Sequence, residues 1–213
     1  MSNETHQHQD ERAYLFDDPE LGITKTDAEG KHWDRWRNRY HKCIALAGRQ
    51  GGRWMDVASG GGYGTEIVAQ TATEVVGVDI DSKTVLYAQK HHSQPNITFV
   101  NRSILDLAEL MEQEFDVVIS IETIEHVSDP TPFFASVRKM LKSDGVFVVA
   151  TPESQCGGGP NPLNVWHLNE FTREQLLAAL QKFFADVRIE TETAIFTTGI
   201  ETVQLYAICR GPL

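Results

Sequence analysis

Cysteine is scarce. Cys43, Cys156 and Cys209 are the three in 213 residues. They are far apart and odd in number, so they fit neither a disulfide framework nor a zinc spacing, and a reducing compartment is expected. No apolar run reaches the length of a membrane-spanning helix, and no signal-peptide pattern opens the chain, so a cytoplasmic protein with no membrane partner is expected. Basic residues are few: 19 Lys and Arg stand against 30 Asp and Glu, for a net charge of −11. They do not cluster, so no nucleic-acid partner is expected, and a cationic or neutral small molecule fits better. Repeats and domain linkers are absent as well. The length suits one full hydrophobic core, and residues 1–213 are read as a single domain.

The stretch Trp54–Thr65 organises what is present. An apolar approach carrying Asp56 runs into Gly60, Gly61, Gly62 and Gly64, and Glu66-Ile67-Val68-Ala69 then has helix-forming composition. That is strand, glycine turn, helix, with the helix N–H groups aimed at whatever sits in the turn. The spacing Gly60-x-Gly62-x-Gly64 departs from the dinucleotide fingerprint, because Thr65 stands where a third dinucleotide glycine would be. A P-loop ending of Gly-Lys-Ser/Thr is missing too. Asp56 near the turn is a poor neighbour for a pyrophosphate and a good one for an ammonium or sulfonium group. A second buried strand ends at Asp79, whose carboxylate can accept two hydroxyl hydrogen bonds from a ribose.

Before this core, Met1–Asp10 is polar and expected to be disordered, and His6 and His8 there could take up a metal adventitiously. Residues 11–31 read as an irregular covering segment. Trp33, Trp36, Tyr40, Ile44 and Ala47 recur at helical spacing, which predicts an amphipathic helix over Asp34–Ala47. Strands are then expected at Trp54–Ala58, Glu74–Asp79, Ile97–Asn101, Phe115–Ile121 and Gly145–Thr151. Helices are expected at Thr65–Gln70, Ser82–His91, Leu107–Gln113, Pro132–Leu141 and Thr172–Phe183. Apolar β-branched runs separated by helices argue a parallel sheet covered on both faces. Two alternating stretches, Ala185–Thr193 and Glu201–Arg210, with a turn near Gly199, read as an antiparallel hairpin. The fold class is therefore α/β, a Rossmann-like, mostly parallel sheet of seven strands.

With the glycine turn, Asp79 and the later motifs together, the chain resembles the class I S-adenosylmethionine-dependent methyltransferases from about Trp33 onward. The E-x-x-E-H string Glu122–His126, followed by Asp129-Pro130, is similar to the motif after the fourth strand in small-molecule O- and N-methyltransferases, including the ubiquinone-biosynthesis type. The segment His167-x-x-Glu170-Phe171-Thr172 is similar to one in methyltransferases acting on sugars and quinones. The resemblance implies S-adenosyl-L-methionine as cofactor and a small-molecule methyl acceptor. It implies that Ala58, Gly60 and Gly62 wrap the methionine part, with Asp56 near the turn, that Asp79 takes the ribose and that Ile80 lies on adenine. Ser103 stands where the family commonly has an Asp for the adenine amino group; with Ile104 and Ser120 it completes the expected cofactor set. Arg37, Arg39 or Tyr40 could meet the methionine carboxylate, with the helix over residues 33–48 closing on the cofactor. Asp81 could equally cap the helix that starts at Ser82.

Methyl transfer is an in-line displacement that needs alignment and, for a hydroxyl acceptor, a base. His126, His167 and Glu122 are the candidate catalytic residues, with Glu125 on the same face as Glu122 and His126 if the stretch turns helical. A glycine- and proline-rich loop, 152–170, reads as a lid over the acceptor. His126 and His167 each have a plainer reading, as a brace for its helix and as an anchor for the lid. A catechol-type metal set would have only Glu122 and Glu153 and no Asp-Asn pair, so no metal is expected. Methylation of protein or RNA and a cofactor-binding protein without catalysis remain as alternatives. One chain does not fix the oligomeric state, a homodimer being one option.

Overall fold

The computed structural model describes residues 31–103, 105, 106, 108, 111–195 and 201–213. The expectations for residues 1–30, for Ile104, for the turn near Gly199 and for most of a helix over 107–113 lie outside the described residues. In chain order the elements are helix α1 (Lys31–Ala47), strand β1 (Arg53–Val57), α2 (Tyr63–Ala69), β2 (Glu74–Asp79), α3 (Ser82–His91), β3 (Ile97–Asn101) and β4 (Phe115–Ile121). A single 3₁₀ turn (Ile124–His126) leads to α4 (Thr131–Met140), β5 (Leu141–Pro152), α5 (Arg173–Leu180), β6 (Phe184–Ile195) and β7 (Glu201–Pro212). They build one seven-stranded sheet in the order β3-β2-β1-β4-β5-β7-β6. The first five strands run parallel and β7 is antiparallel to both β5 and β6.

Side-chain alternation along the strands divides the core in two. Met55, Val57, Val76, Val78 and Val118 point to the face covered by α4 and α5, among Phe133, Phe134, Phe147 and Leu180. Trp54, Val75, Val117, Ile119, Val146 and Val148 point to the other face, with Tyr40, Cys43 and Ala47 of α1 and Ile67 and Val68 of α2. Each such side chain stabilises the fold by about 1.5–3 kcal/mol. Both faces are dry, which is why β1, β2 and β4 read as near-continuous apolar runs. The expected strand at Gly145–Thr151 begins earlier, at Leu141. Leu141 pairs with Phe115, and the register then shifts so that Val117 meets Val146. Residues Lys142–Gly145 lie between these two pairings.

Local chemistry starts the helices. Asp81 accepts from Thr84 N at 2.7 Å and so caps α3. Thr172 and Gln175 form a capping box at α5. The topological switch falls between β1 and β4, from whose carboxyl ends the chain leaves in opposite directions. Everything below concerns that edge of the sheet.

Candidate functional site

The turn after β1 is held by its own backbone. Ser59 N donates to Val78 O at 2.9 Å, and Gly62 N donates to Ser59 O at 3.1 Å. Gly62 has φ 93°, and a Cβ there would lie 2.8 Å from both Ala88 Cβ and the Phe99 ring, so glycine is needed for conformation and for space. Gly64 is needed for another reason. A Cβ on it would fall 1.9 Å from the Tyr40 ring of α1. Ala58 carries φ 57°, a left-handed conformation that costs a non-glycine residue about 1–2 kcal/mol.

Asp79, at the end of β2, accepts from Gly60 N at 2.9 Å and from Asp81 N at 3.0 Å, one on each carboxylate oxygen. Burial pushes its carboxyl above the ordinary value while these N–H groups pull it back. Each oxygen keeps capacity for a further donor. Beside it Ile80 leaves a large apolar side chain 70% exposed. Sequence reasoning missed Asn101, whose Nδ2 donates to the Asp79 and Ile80 carbonyls at 3.0 and 2.8 Å and so fixes this strand end. Ser103 Oγ accepts from Leu105 N at 3.1 Å, closing its own local turn. Ile104 lies outside the described residues.

Asp56 is placed differently from the expectation of a charge open to the turn. Strand alternation puts it on the Trp54 face, fully buried beneath α1 and α2. Thr65 Oγ1 donates to it at 2.7 Å and Tyr40 OH stands 3.3 Å from both its oxygens. Burial raises its pKa to about 7. The three α1 residues expected near the methionine carboxylate separate here. Arg37 is exposed, Tyr40 is on Asp56, and Arg39 is on Glu122.

Glu122, with φ 51°, is the first residue past β4. Arg39 Nη1 lies 3.3 Å from one of its oxygens and Gln204 Nε2 donates to the other at 2.7 Å. Ser120, two residues earlier, is buried with its Oγ unpartnered among the described residues, as is that of Ser59. In the 3₁₀ turn, Glu125 is completely buried. Its Oε2 accepts from Thr151 Oγ1 at 2.9 Å, and its Oε1 has no hydrogen-bond partner among the described residues. Burial first, then the nearby Glu122 charge, pushes the Glu125 carboxyl well above the ordinary carboxylate range.

The 153–170 loop folds back onto this turn. His126 Nδ1 lies 2.9 Å from the Trp166 carbonyl, an acceptor only, so Nδ1 carries the proton and Nε2 the lone pair. Burial holds the imidazole below its ordinary pKa, which keeps it neutral. His167 Nδ1 lies 2.5 Å from Glu170 Oε1, which also accepts from Asn161 Nδ2 at 2.7 Å. The two rings meet edge to face with centroids 5.1 Å apart. Glu125, His126 and His167 thus present ligand-capable atoms that all lie within 4.8 Å of one another. His126 and His167 were both expected as candidates at the acceptor site, and the structure places their rings in contact. Gln204 and Thr151 were missed; Arg39 was expected at the methionine carboxylate and lies on Glu122 instead, and Glu170 was named only as part of the His167 segment.

Known proteins resemble this chain in sequence and in fold. The methyltransferase domain family matches residues 55–149. A Mycolicibacterium smegmatis protein named as a probable S-adenosylmethionine-dependent methyltransferase is 29% identical over 79% of this chain and 64% of its own length. These likenesses support a class I S-adenosylmethionine-dependent methyltransferase. A ubiquinone biosynthesis O-methyltransferase of Cereibacter sphaeroides is 36% identical over 48% of this chain and 42% of its own length. The chain thus spans about two fifths to two thirds of these relatives. The fold is shared with Haemonchus contortus phosphoethanolamine N-methyltransferase 2 in complex with S-adenosyl-L-methionine, at a TM-score of 0.68 and 16% identity, over 91% of this chain and 59% of that one. S-adenosyl-L-methionine is the cofactor of this methyltransferase family. The donor set at β1 and β2 suits it: a carboxylate with lone pairs to spare beside an uncovered aliphatic side chain.

Proposed function

We propose that this chain transfers the methyl group of S-adenosyl-L-methionine to an oxygen of a small-molecule acceptor, releasing S-adenosyl-L-homocysteine. The observation that carries the reading is the pair of imidazoles at the β4 end. Each is pinned through Nδ1, by a carbonyl for His126 and by a carboxylate for His167, so each presents the lone pair of Nε2. An acceptor hydroxyl loses its proton to such a group as its oxygen attacks.

The cofactor supplies a methyl group on a positively charged sulfur, which leaves with the bonding electron pair. The chain's residues bind and align. Asp79 is assigned to the ribose hydroxyls and Ile80 to the adenine face, with Ser103 at its rim. Ala58, Gly60, Gly62 and the hydroxyl of Ser120 line the methionine end, and Asp56 supports it from beneath through Tyr40 and Thr65. Glu122, held by Arg39 and Gln204, links α1 to the site and orients the acceptor. The loop over 153–170 carries His167, which is mostly buried, and contacts His126 through the Trp166 carbonyl. Alignment supplies most of the rate, and the imidazole base adds about 10²–10⁴-fold.

The test is transfer from methyl-labelled S-adenosyl-L-methionine into a cell extract separated into metabolite, RNA and protein fractions. Label is expected in the metabolite fraction, on a compound whose methylated atom is oxygen. Label confined to protein or RNA would overturn the acceptor class.

A further inference from the structure

We infer that Glu125, His126 and His167 form a binding site for one divalent transition-metal ion of the Zn²⁺ type. Their donor atoms lie within 4.8 Å of one another, two from the 3₁₀ turn after β4 and one from the loop that covers it. Metal-ligating histidines are oriented by a hydrogen bond from the other ring nitrogen to a carbonyl or carboxylate. Both imidazoles here have that partner: the Trp166 carbonyl for His126 and Glu170 for His167. Glu170 is itself held by Asn161.

The third donor is the independent sign of a ligand. Glu125 has 0% side-chain exposure, and its Oε2 is satisfied by Thr151. Oε1 faces the histidines with no hydrogen-bond partner among the described residues, 4.0 Å from His126 Nε2. A buried carboxylate oxygen left without a donor is costly, and a cation between it, His126 Nε2 and the His167 imidazole would satisfy it. Two imidazoles and one carboxylate suit Zn²⁺, Fe²⁺ or Mn²⁺ rather than Ca²⁺ or Mg²⁺, which prefer all-oxygen shells. Bonds of about 2.0–2.2 Å would draw the donors inward by roughly an ångström, and the half-exposed His126 ring has room to turn.

Three protein ligands leave a position open for water or an acceptor oxygen. Coordination lowers the pKa of a bound hydroxyl, so the ion would take over from the free imidazoles the task of generating the nucleophilic oxygen, with the proton passing to solvent. This consequence rests on the oxygen-acceptor reading; the binding itself does not. The ion would also fasten the 153–170 loop to the end of β4.

The 213-residue chain with His6→Asn and His8→Asn, which removes those two histidines, would be titrated with Zn²⁺ against a chromophoric chelator. One ion per chain is expected. Affinity should fall more than about a hundredfold in His126→Ala and His167→Ala, and about 10–100-fold in Glu170→Gln, which keeps all three ligands. Glu125→Gln retains the side-chain volume, and melting of each metal-free variant checks that it is folded. Co²⁺ should give visible ligand-field bands that vanish in the same variants. No ion bound above background, or equal affinity in folded His126→Ala and His167→Ala, would overturn the site. The two readings fail separately. An ion bound by these residues without any methyl transfer keeps the site and removes the reaction. Full transfer by protein that binds no ion does the reverse.

Discussion

The two halves of the sheet's carboxyl edge are built in different ways. At β1 and β2 the groups that meet are backbone atoms, one carboxylate and one side-chain amide from segments about 20 residues apart: Gly60 N on Asp79, Ser59 N on Val78 O, Asn101 Nδ2 on the Asp79 carbonyl. At β4 and β5 they are mostly side chains brought from across the chain: Arg39 and Gln204 on Glu122, Thr151 on Glu125, with the Trp166 carbonyl on His126. The first half is a rigid cradle specified by a local motif. The second is assembled only when α1, the 153–170 loop and β7 are all in place. A constant cofactor suits the first construction, and a variable acceptor suits the second.

Substitutions should separate the halves. The largest effect is expected for His126→Ala or His167→Ala: transfer slower by about 10²–10⁴-fold with cofactor affinity retained, read by single-turnover rates and calorimetry. Asp79→Ala should weaken cofactor binding by about 10–100-fold, the loss of charge-assisted hydrogen bonds worth about 1.5–3 kcal/mol. Gly64→Ala forces the Tyr40 ring away and should destabilise the fold by about 1–3 kcal/mol in urea unfolding. Ala58→Gly relieves a left-handed residue and should stabilise by about 1 kcal/mol in the same measurement.

Asp56 adds a pH signature between the halves. Burial raises its pKa from 3.8 to about 7, so over that range the folded chain holds a proton that the unfolded chain has lost. Its contribution to stability is therefore complete at low pH and is lost as pH rises toward 7. The stability difference between wild type and Asp56→Asn should decline across that window and level off above it.

The same contrast governs what the sequence discloses. The glycine turn, Asp79 and the alternation of strands and helices are periodic or contiguous signals, and they are legible from one chain. The hairpin of β6 and β7 was legible through its alternating polarity. The orientation of Asp56 was not, because strand position gives the face but not what covers it. Glu122 was readable as a site candidate, yet its clamp by Arg39 and Gln204 depends on residues more than 80 positions away. The expectation of no metal came from searching for ligands after two strands in a catechol-type pattern. The convergence of Glu125, His126 and His167 depends on a loop returning over 40 residues, which local spacing does not encode.

The most direct test measures S-adenosyl-L-methionine affinity and label transfer side by side for wild type, Asp79→Ala and His167→Ala. The account predicts a crossed result, with affinity lost in Asp79→Ala and transfer lost at unchanged affinity in His167→Ala. Equal loss of affinity in both variants, or full transfer by His167→Ala, would contradict the division of the site into a cofactor half and a chemical half.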